Sequence, residues 1–426
     1  MYRKTVIIIL TLLFSINIYA QLSIEECYDK AKANYPLVKQ YDLIDQARDY
    51  NLSNVKRGWL PQIQLSAKAS YQSDVTKIPI DFSEVPIPQL ADLKMPELSK
   101  DQYGVSIDVS QILWDGGMLG AKRQRVIVSA EAEKAELEVN LYALRERVNQ
   151  LFFGILMCDA LLEQNRLLQD ELQRNYEQVA ALARGGLTNQ ADINAVKVEQ
   201  LKATQHFTTI IHNRNALLQM LEAFMGEKFD NNIVLQKPVV ESLWFNEIFR
   251  PELLLFNSKL MLINTFNCEI KADLMPKFGL FLTGGYGNPG LNMLKNGFSA
   301  YYIGGLRLSW NIGSFYTLNN RKNQIITNRN SIEIQRETFL FNTAISQSNQ
   351  ENEIAKFREL MQSDEEIIAL RNFVKHATES KVVNGTASIS DLLRDVNAET
   401  LAKQEKVFHE LEMLQAIYNL KFITNN

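Results

Sequence analysis

The apolar residues Leu137, Leu141, Leu144, Val148, Leu151, Ile155, Cys158 and Leu162 step by four and three without a slip. A 3.5-residue repeat is the pattern of a left-handed coiled coil. It predicts one helix from about Met118 to Leu182, about 100 Å long at 1.5 Å per residue. The segments before Pro61 and after Thr188 read as helices of about half that length, which stacked end to end could run beside the long one. A helix buried in a bundle would also carry such a stripe, but no compact domain needs that length.

Elsewhere the period is two, as in a strand with unlike faces. Ile63, Leu65, Ala67, Ala69 and Tyr71 alternate with Gln62, Gln64, Ser66, Lys68 and Ser70. Tyr103, Val105, Ile107 and Val109 alternate with Gly104, Ser106, Asp108 and Ser110. Later, Phe278, Leu280 and Leu282 form one apolar face, and Leu306, Leu308 and Trp310 another, opposite Arg307 and Ser309. Between the first two strands, Ser73 to Gln102 holds Pro79, Pro86, Pro88 and Pro96 and an excess of acids, the composition of a solvated loop.

These elements recur. Pro36 and Pro251 are 215 residues apart, as are Pro61 and Pro276. Gly116 and Gly313 are 197 apart, and Gly186 and Gly385 are 199 apart. Two similar halves follow, the second with a shorter loop between its strands. Each half reads helix, strand, loop, strand, very long helix, break, helix. The expected divisions are a leader over 1–20, a first repeat over 21–236 with strands near 61–72 and 103–114, and a second over 237–426 with strands near 276–287 and 301–312. The fold class is mainly α with a small β part.

The breaks are GGLTNQADINAV, beginning at Gly185, and NGTASISDLLRDV, beginning at Asn384. Adjacent glycines cost a helix roughly 1 kcal/mol each relative to alanine. Their recurrence, once per half, marks a helical hairpin. Asn189-x-x-Asp192 and Ser388-x-x-Asp391 resemble capping boxes, and an acid in the first turn also suits the helix dipole. Asn384-Gly385-Thr386 matches a glycosylation sequon, although Asn-Gly between helices is better explained as a turn.

Composition narrows the class. The chain has 426 residues, 46% hydrophobic and 22% charged, with net charge −4. Nothing polybasic points to nucleic acid. Arg3 and Lys4, the apolar run Val6 to Ile16 and Ala20 have the layout of a secretory signal peptide, too short to span a bilayer comfortably as an anchor. Cys27, Cys158 and Cys268 show no disulfide or zinc spacing and are expected to pack as small apolar residues. His206, His212, His376 and His409 have no metal-ligand spacing and read as solvated. Gly285, Gly287 and Gly290 have dinucleotide-fingerprint spacing, but Pro289 follows instead of a helix, so a hairpin loop is expected. No catalytic constellation, metal site or cofactor is expected, so the chain does not read as an enzyme.

Four amphipathic strands cannot close a membrane barrel, whose smallest examples have about 8. An open apolar edge is not tolerated in lipid, so several copies would have to share one barrel. Trp59, Tyr71, Tyr103, Trp114, Tyr286 and Trp310, at the strand ends, suit an interfacial girdle. An ordinary two-sided sheet is the alternative.

With its signal peptide and duplicated motifs, almost the whole mature chain resembles the TolC family of outer-membrane factors. The motifs are RPEL at Arg250 to Leu253, the strand-entering Pro61 and Pro276, LWDGG at Leu113 to Gly117, and the Gly-x5-Asp hairpins at Gly186 to Asp192 and Gly385 to Asp391. The resemblance implies a homotrimer in the cell outer membrane. Its chains build one twelve-stranded transmembrane β-barrel and a long periplasmic coiled-coil α-barrel. It also implies a passive duct of a tripartite efflux pump or type I secretion system, working with a periplasmic adaptor (membrane fusion) protein, an inner-membrane transporter and outer-membrane lipid. Gly185, Gly186, Leu187, Thr188, Gly385, Thr386 and Ala387 would then form the periplasmic tip that an adaptor touches, with Asp391, Arg394 and Asp192 at the pore. Acidic residues ring the constriction in other members. Asp391 matches the first such position, Arg394 stands where the next acid would be, and Ala387 occupies the place of a locking basic residue. A periplasmic coiled-coil scaffold or adaptor without a pore is the alternative function.

Overall fold

A computed structural model describes residues 21–76, 99–186, 188–230, 233–239 and 247–425. The expected signal peptide and most of the proline-rich loop lie outside these residues. In chain order the elements are helices α1 (Ile24–Asn34) and α2 (Gln40–Arg57), then strands β1 (Gln62–Tyr71) and β2 (Asp101–Trp114). Helices α3 (Met118–Tyr142), α4 (Leu144–Arg184), α5 (Gln190–Met225) and α6 (Pro251–Asp273) follow. Strands β3 (Lys277–Asn288) and β4 (Ser299–Ser309) lead to helices α7 (Leu318–Val383) and α8 (Ile389–Thr424). The chain is mainly helical, 71%, with one small antiparallel sheet, as the patterning predicts. Its described residues divide into two compact units, one within 1–41, 135–255 and 335–426, the other within 42–134 and 256–334.

The first unit is helical. Its larger core gathers Ile24 and Cys27 of α1, Val148, Phe152 and Ile155 of α4, Leu221 of α5 and Ile417 of α8. All eight predicted stripe residues face inward, Leu162 less completely than the rest. The expected single helix is nevertheless two, 25 and 41 residues long, meeting at Ala143. There the Tyr142 ring stacks on Phe422 at 5.1 Å, and its hydroxyl donates to the Phe422 carbonyl at 2.7 Å. Arg145 and Arg250 both lie 5.0 Å from the same ring. The apolar repeat runs through this point unchanged, so periodicity does not reveal the break. Arg250 of RPEL also pairs with Glu252 and donates to the Phe422 carbonyl, while Pro251 opens α6 where no amide is needed.

Two elements differ from expectation. Helix α1 has only Ile24, Cys27 and Ala31 as buried positions, too few for a clear period; Ser23 caps it by accepting from the Glu26 amide at 3.2 Å. The helix expected before Pro61 is preceded by a single 3-10 turn, Pro36–Lys39, and begins as α2 at Gln40. Two side chains also differ. Cys268 on α6 is exposed, not packed. His409 on α8 is largely covered, because it faces the buried Asp364 of α7 with Nδ1 3.0 Å from Oδ2.

The second unit holds the sheet, ordered β1-β2-β3-β4 with every neighbour antiparallel. Register aligns Leu65 with Ile107, Val109 with Leu282, and Leu280 with Leu306, so the predicted apolar faces merge into one. The LWDGG motif makes the exit corner of β2. Buried Asp115 accepts the Gly117 amide at 2.9 Å and the Leu119 amide at 2.5 Å, capping α3. Gly116 has φ +73°, and a Cβ there would come within 2.6 Å of the Met275 side chain, so only glycine fits. Gly285 and Gly287 lie in β3, not in the expected hairpin loop, which begins after Asn288. The reason is space: a Cβ on Gly285 would lie 2.4 Å from the Tyr301 ring. Strand β4 ends at Ser309, short of 312, because Ile312–Phe315 forms a 3-10 turn.

Candidate functional site

The breaks are hairpin turns in the helical unit, and each is built from local chemistry. Helix α4 ends at Arg184, with Gly185 as its C-cap. Gly186 takes φ +78° and Gly385 takes φ +71°. These left-handed conformations, rather than crowding, require glycine, since neither residue has a close neighbour where its Cβ would be. Leu187 lies outside the described residues. The Thr188 hydroxyl donates to the Val179 carbonyl at 3.5 Å, and that of Thr386 to the Lys381 carbonyl at 3.1 Å. Asn384 sits in the second turn, its amide donating to the Ser380 carbonyl at 2.9 Å.

Both returning helices start with a complete capping box. Asn189 Oδ1 accepts from the Asp192 amide at 3.2 Å, and Asp192 Oδ2 accepts from the Asn189 amide at 3.3 Å. Ser388 Oγ accepts from the Asp391 amide at 3.1 Å, and Asp391 Oδ2 accepts from the Ser388 amide at 3.2 Å. Asp391 has more partners than Asp192. Its Oδ2 lies 2.7 Å from the Ser388 hydroxyl, and its Oδ1 lies 3.2 Å from Arg394 Nη1. The Ser388 hydroxyl and amide, aided by Arg394, hold the Asp391 carboxyl below the usual carboxylate range. Arg394 is 71% exposed.

The two turns are brought together by a second apolar cluster. It joins Leu172 and Val179 of α4, Val196 of α5, Val382 of α7, and Ile389, Leu392 and Val396 of α8, with Ala387 packed against it. Within the same unit a buried ionic group links α4, α7 and α8. Lys375 Nζ lies 2.7 Å from Glu171 and 2.6 Å from Glu399, and Lys403 reaches Glu399 at 2.7 Å. Burial pushes the Glu399 carboxyl up, but hydrogen bonds from Lys375, Lys403 and Asn372 outweigh it and bring it down to about 2. Nearby, the Thr378 hydroxyl donates to buried Asp395 at 2.7 Å. Sequence reading missed this group. Its one sequence signal is that Glu399 continues the apolar steps Ile389, Leu392, Val396, so an acid occupies a core position.

In the other unit the apolar sheet face is uncovered. Ile63, Leu65, Val105, Ile107, Leu280, Leu282, Leu306 and Leu308 are all exposed, as are the six expected girdle aromatics. The outer edges of β1 and β4 pair with no strand among the described residues. No helix among those residues is long and apolar enough to cross a membrane.

Residues 27–227 match the family model of the outer membrane efflux protein. No curated protein matches the chain in sequence. Among solved structures, the OprN outer-membrane channel is 12% identical with a TM-score of 0.67, covering 94% of this chain and 89% of that one. The CmeC outer membrane channel of Campylobacter jejuni is 13% identical with a TM-score of 0.62, covering 94% and 85%. The open-state MtrE outer membrane channel of Neisseria gonorrhoeae is 12% identical with a TM-score of 0.64, covering 95% and 89%. Residues 27–227 are thus similar to the outer membrane efflux protein family, and the chain as a whole has the fold of the solved outer-membrane channels.

Proposed function

We propose that three copies of the chain close their sheets into one twelve-stranded barrel in the outer membrane, continued by a periplasmic helical duct. The observation that carries this reading is the four-stranded sheet with, among the described residues, one apolar face uncovered and both edges open. Lipid covers such a face, and joining β4 of one copy to β1 of the next removes the edges. The capped hairpin turns are the tip that a periplasmic adaptor touches, and an inner-membrane transporter supplies the energy. Three Asp391 carboxylates ring the constriction, each partly neutralised by its own Arg394, which weakens the ring's hold on cations. An internal duplication, 21–236 and 237–426, accounts for the repeated element order.

Membrane fractionation combined with gels run before and after heating tests the duct. The expected result is an outer-membrane protein migrating as a heat-sensitive trimer. A purely soluble monomer would end this reading in favour of a periplasmic scaffold. For the ring, single-channel recordings with added divalent cations should show weaker block in Asp391→Asn; unchanged block and selectivity would remove Asp391 from the pore.

A further inference from the structure

Resting on this duct reading, we propose that the polar face of the sheet holds and passes small anions, with Lys68 as their principal station. Register puts Gln64, Asp108, Thr283 and Ile303 in one row across the four strands. Four residues toward the loops, Lys68, Gly104, Gly287 and Ser299 form a second row. Four residues toward the helices, Gly279 and Arg307 form a third. Adjacent rows are about 13 Å apart along a strand at 3.3 Å per residue.

The charges in these rows are unequal. Asp108 is the acid, and its carboxylate accepts from the hydroxyls of Thr283 at 2.5 Å and Ser106 at 3.3 Å. Lys68 and Arg307 are the cations, and among the described residues neither has a carboxylate within salt-bridge distance. Arg307 instead lies 4.9 Å from the centre of the Phe281 ring, which keeps its guanidinium on the polar face. Lys277, on the same face, is electrostatically coupled to Asp273 at the end of α6, so it adds less to the excess.

Lys68 also stands in a cleft of about 230 Å³ whose polar lining includes Ser66, Ser70, Gln102, Ser106 and Tyr301. Gly285 gives the Tyr301 ring room to form one wall of this cleft. The Ser70 hydroxyl is buried and has no hydrogen-bond partner among the described residues. The Lys68 ammonium and the hydroxyls of Ser66, Ser70 and Tyr301, with no carboxylate among the described lining side chains, suit chloride, a carboxylate or a phosphate ester better than a cation. In a narrow lumen with a low-dielectric wall, uncompensated cations raise the local anion concentration.

The test is the reversal potential of the full mature protein in a planar bilayer under a potassium chloride gradient. Wild type should reverse on the chloride side. Lys68→Gln should lower the chloride-to-potassium permeability ratio by about twofold or more, and Arg307→Gln should lower it independently. Lys68→Arg should preserve the ratio and Asp108→Asn should raise it. Each variant must first give the wild-type heat-sensitive oligomer, so that lost selectivity is not misfolding. Conducting wild-type channels that prefer potassium, or whose ratio neither lumen substitution moves, would overturn the anion proposal and leave the duct intact. Failure of wild type to conduct at all would instead overturn the duct, and this proposal with it.

Discussion

At seven-residue intervals along α3 and α4, Leu137, Leu144, Leu151, Cys158, Leu172 and Val179 are each no more than 9% exposed. On the sheet, Ile63, Leu65 and Leu306 are 73%, 70% and 77% exposed. Burying one such side chain gains roughly 1.5–3 kcal/mol. The helical unit realises that gain inside a single chain. The sheet does not realise it among the described residues. The polar residues behave oppositely. Within the helical stripe they are sealed in: Asn165 fills the step between Cys158 and Leu172 and accepts from Gln169 at 2.7 Å. On the sheet they form one open face. In one unit, then, polar groups are structural exceptions; in the other they make a surface available to solute.

The strongest way to break the contrast is to open the sealed ionic group. Lys375→Met leaves Glu399, only 1% exposed, without its α7 cation. Removing one partner of a buried pair costs about 3–5 kcal/mol, and Lys403 and Asn372 should keep the loss near the lower figure. Adding Glu399→Gln removes the stranded charge and should recover most of it. Urea unfolding followed by helical circular dichroism checks both. If the single change is neutral, the group is not sealed and the helical unit tolerates charge as the sheet's polar face does.

That group also marks how far the sequence could be read. Patterns confined to one element were legible: the heptad stripe, the alternating strands and both capping boxes each depend on neighbours within about one turn or one pleat. Partnerships between distant elements were not. Glu171, Lys375 and Glu399 come from three helices, and nothing local announces their meeting. The break at Ala143 was hidden for the same reason, since Tyr142 is held by Arg250 and Phe422 from elsewhere in the chain. His409 reads as solvated from its neighbours in sequence but is covered, because its partner Asp364 lies 45 residues away. For the hairpin turns, the glycines and caps could be read, but the pairing of Asp391 with Arg394 emerged only from side-chain geometry.

The next largest effect should come from the uncovered face. Leu65→Arg places a charge where lipid is expected and should cost about 2–4 kcal/mol if the residue lies near the bilayer midplane. Lys68→Arg, three positions on and on the opposite face, should be close to neutral. Oligomer dissociation temperature on gels measures both. Equal tolerance of the two changes would mean that the faces do not differ in environment, and the contrast with the helical stripe would lose its meaning.

The smallest effect compares the two turns with each other. Replacing either box acid by alanine removes one capping contact at an exposed helix start, a smaller change than either of the others. The second turn can be followed as pH falls. The Asp391 carboxyl titrates lower in the folded chain than its ordinary value, so its contribution is complete above that value. It fades only as pH drops through the lowered folded value. Ser388 is the largest cause of the shift and Arg394 a lesser one. Ser388→Ala should therefore move the loss of protection to higher pH by more than Arg394→Gln does. Hydrogen exchange of peptides covering 384–396, corrected for intrinsic rates between pH 5 and about 2.5, resolves this order. If Arg394→Gln moved the midpoint furthest, the ion pair rather than the cap would govern the second turn. Its acid would then be committed to its own chain and poorly placed to face a pore.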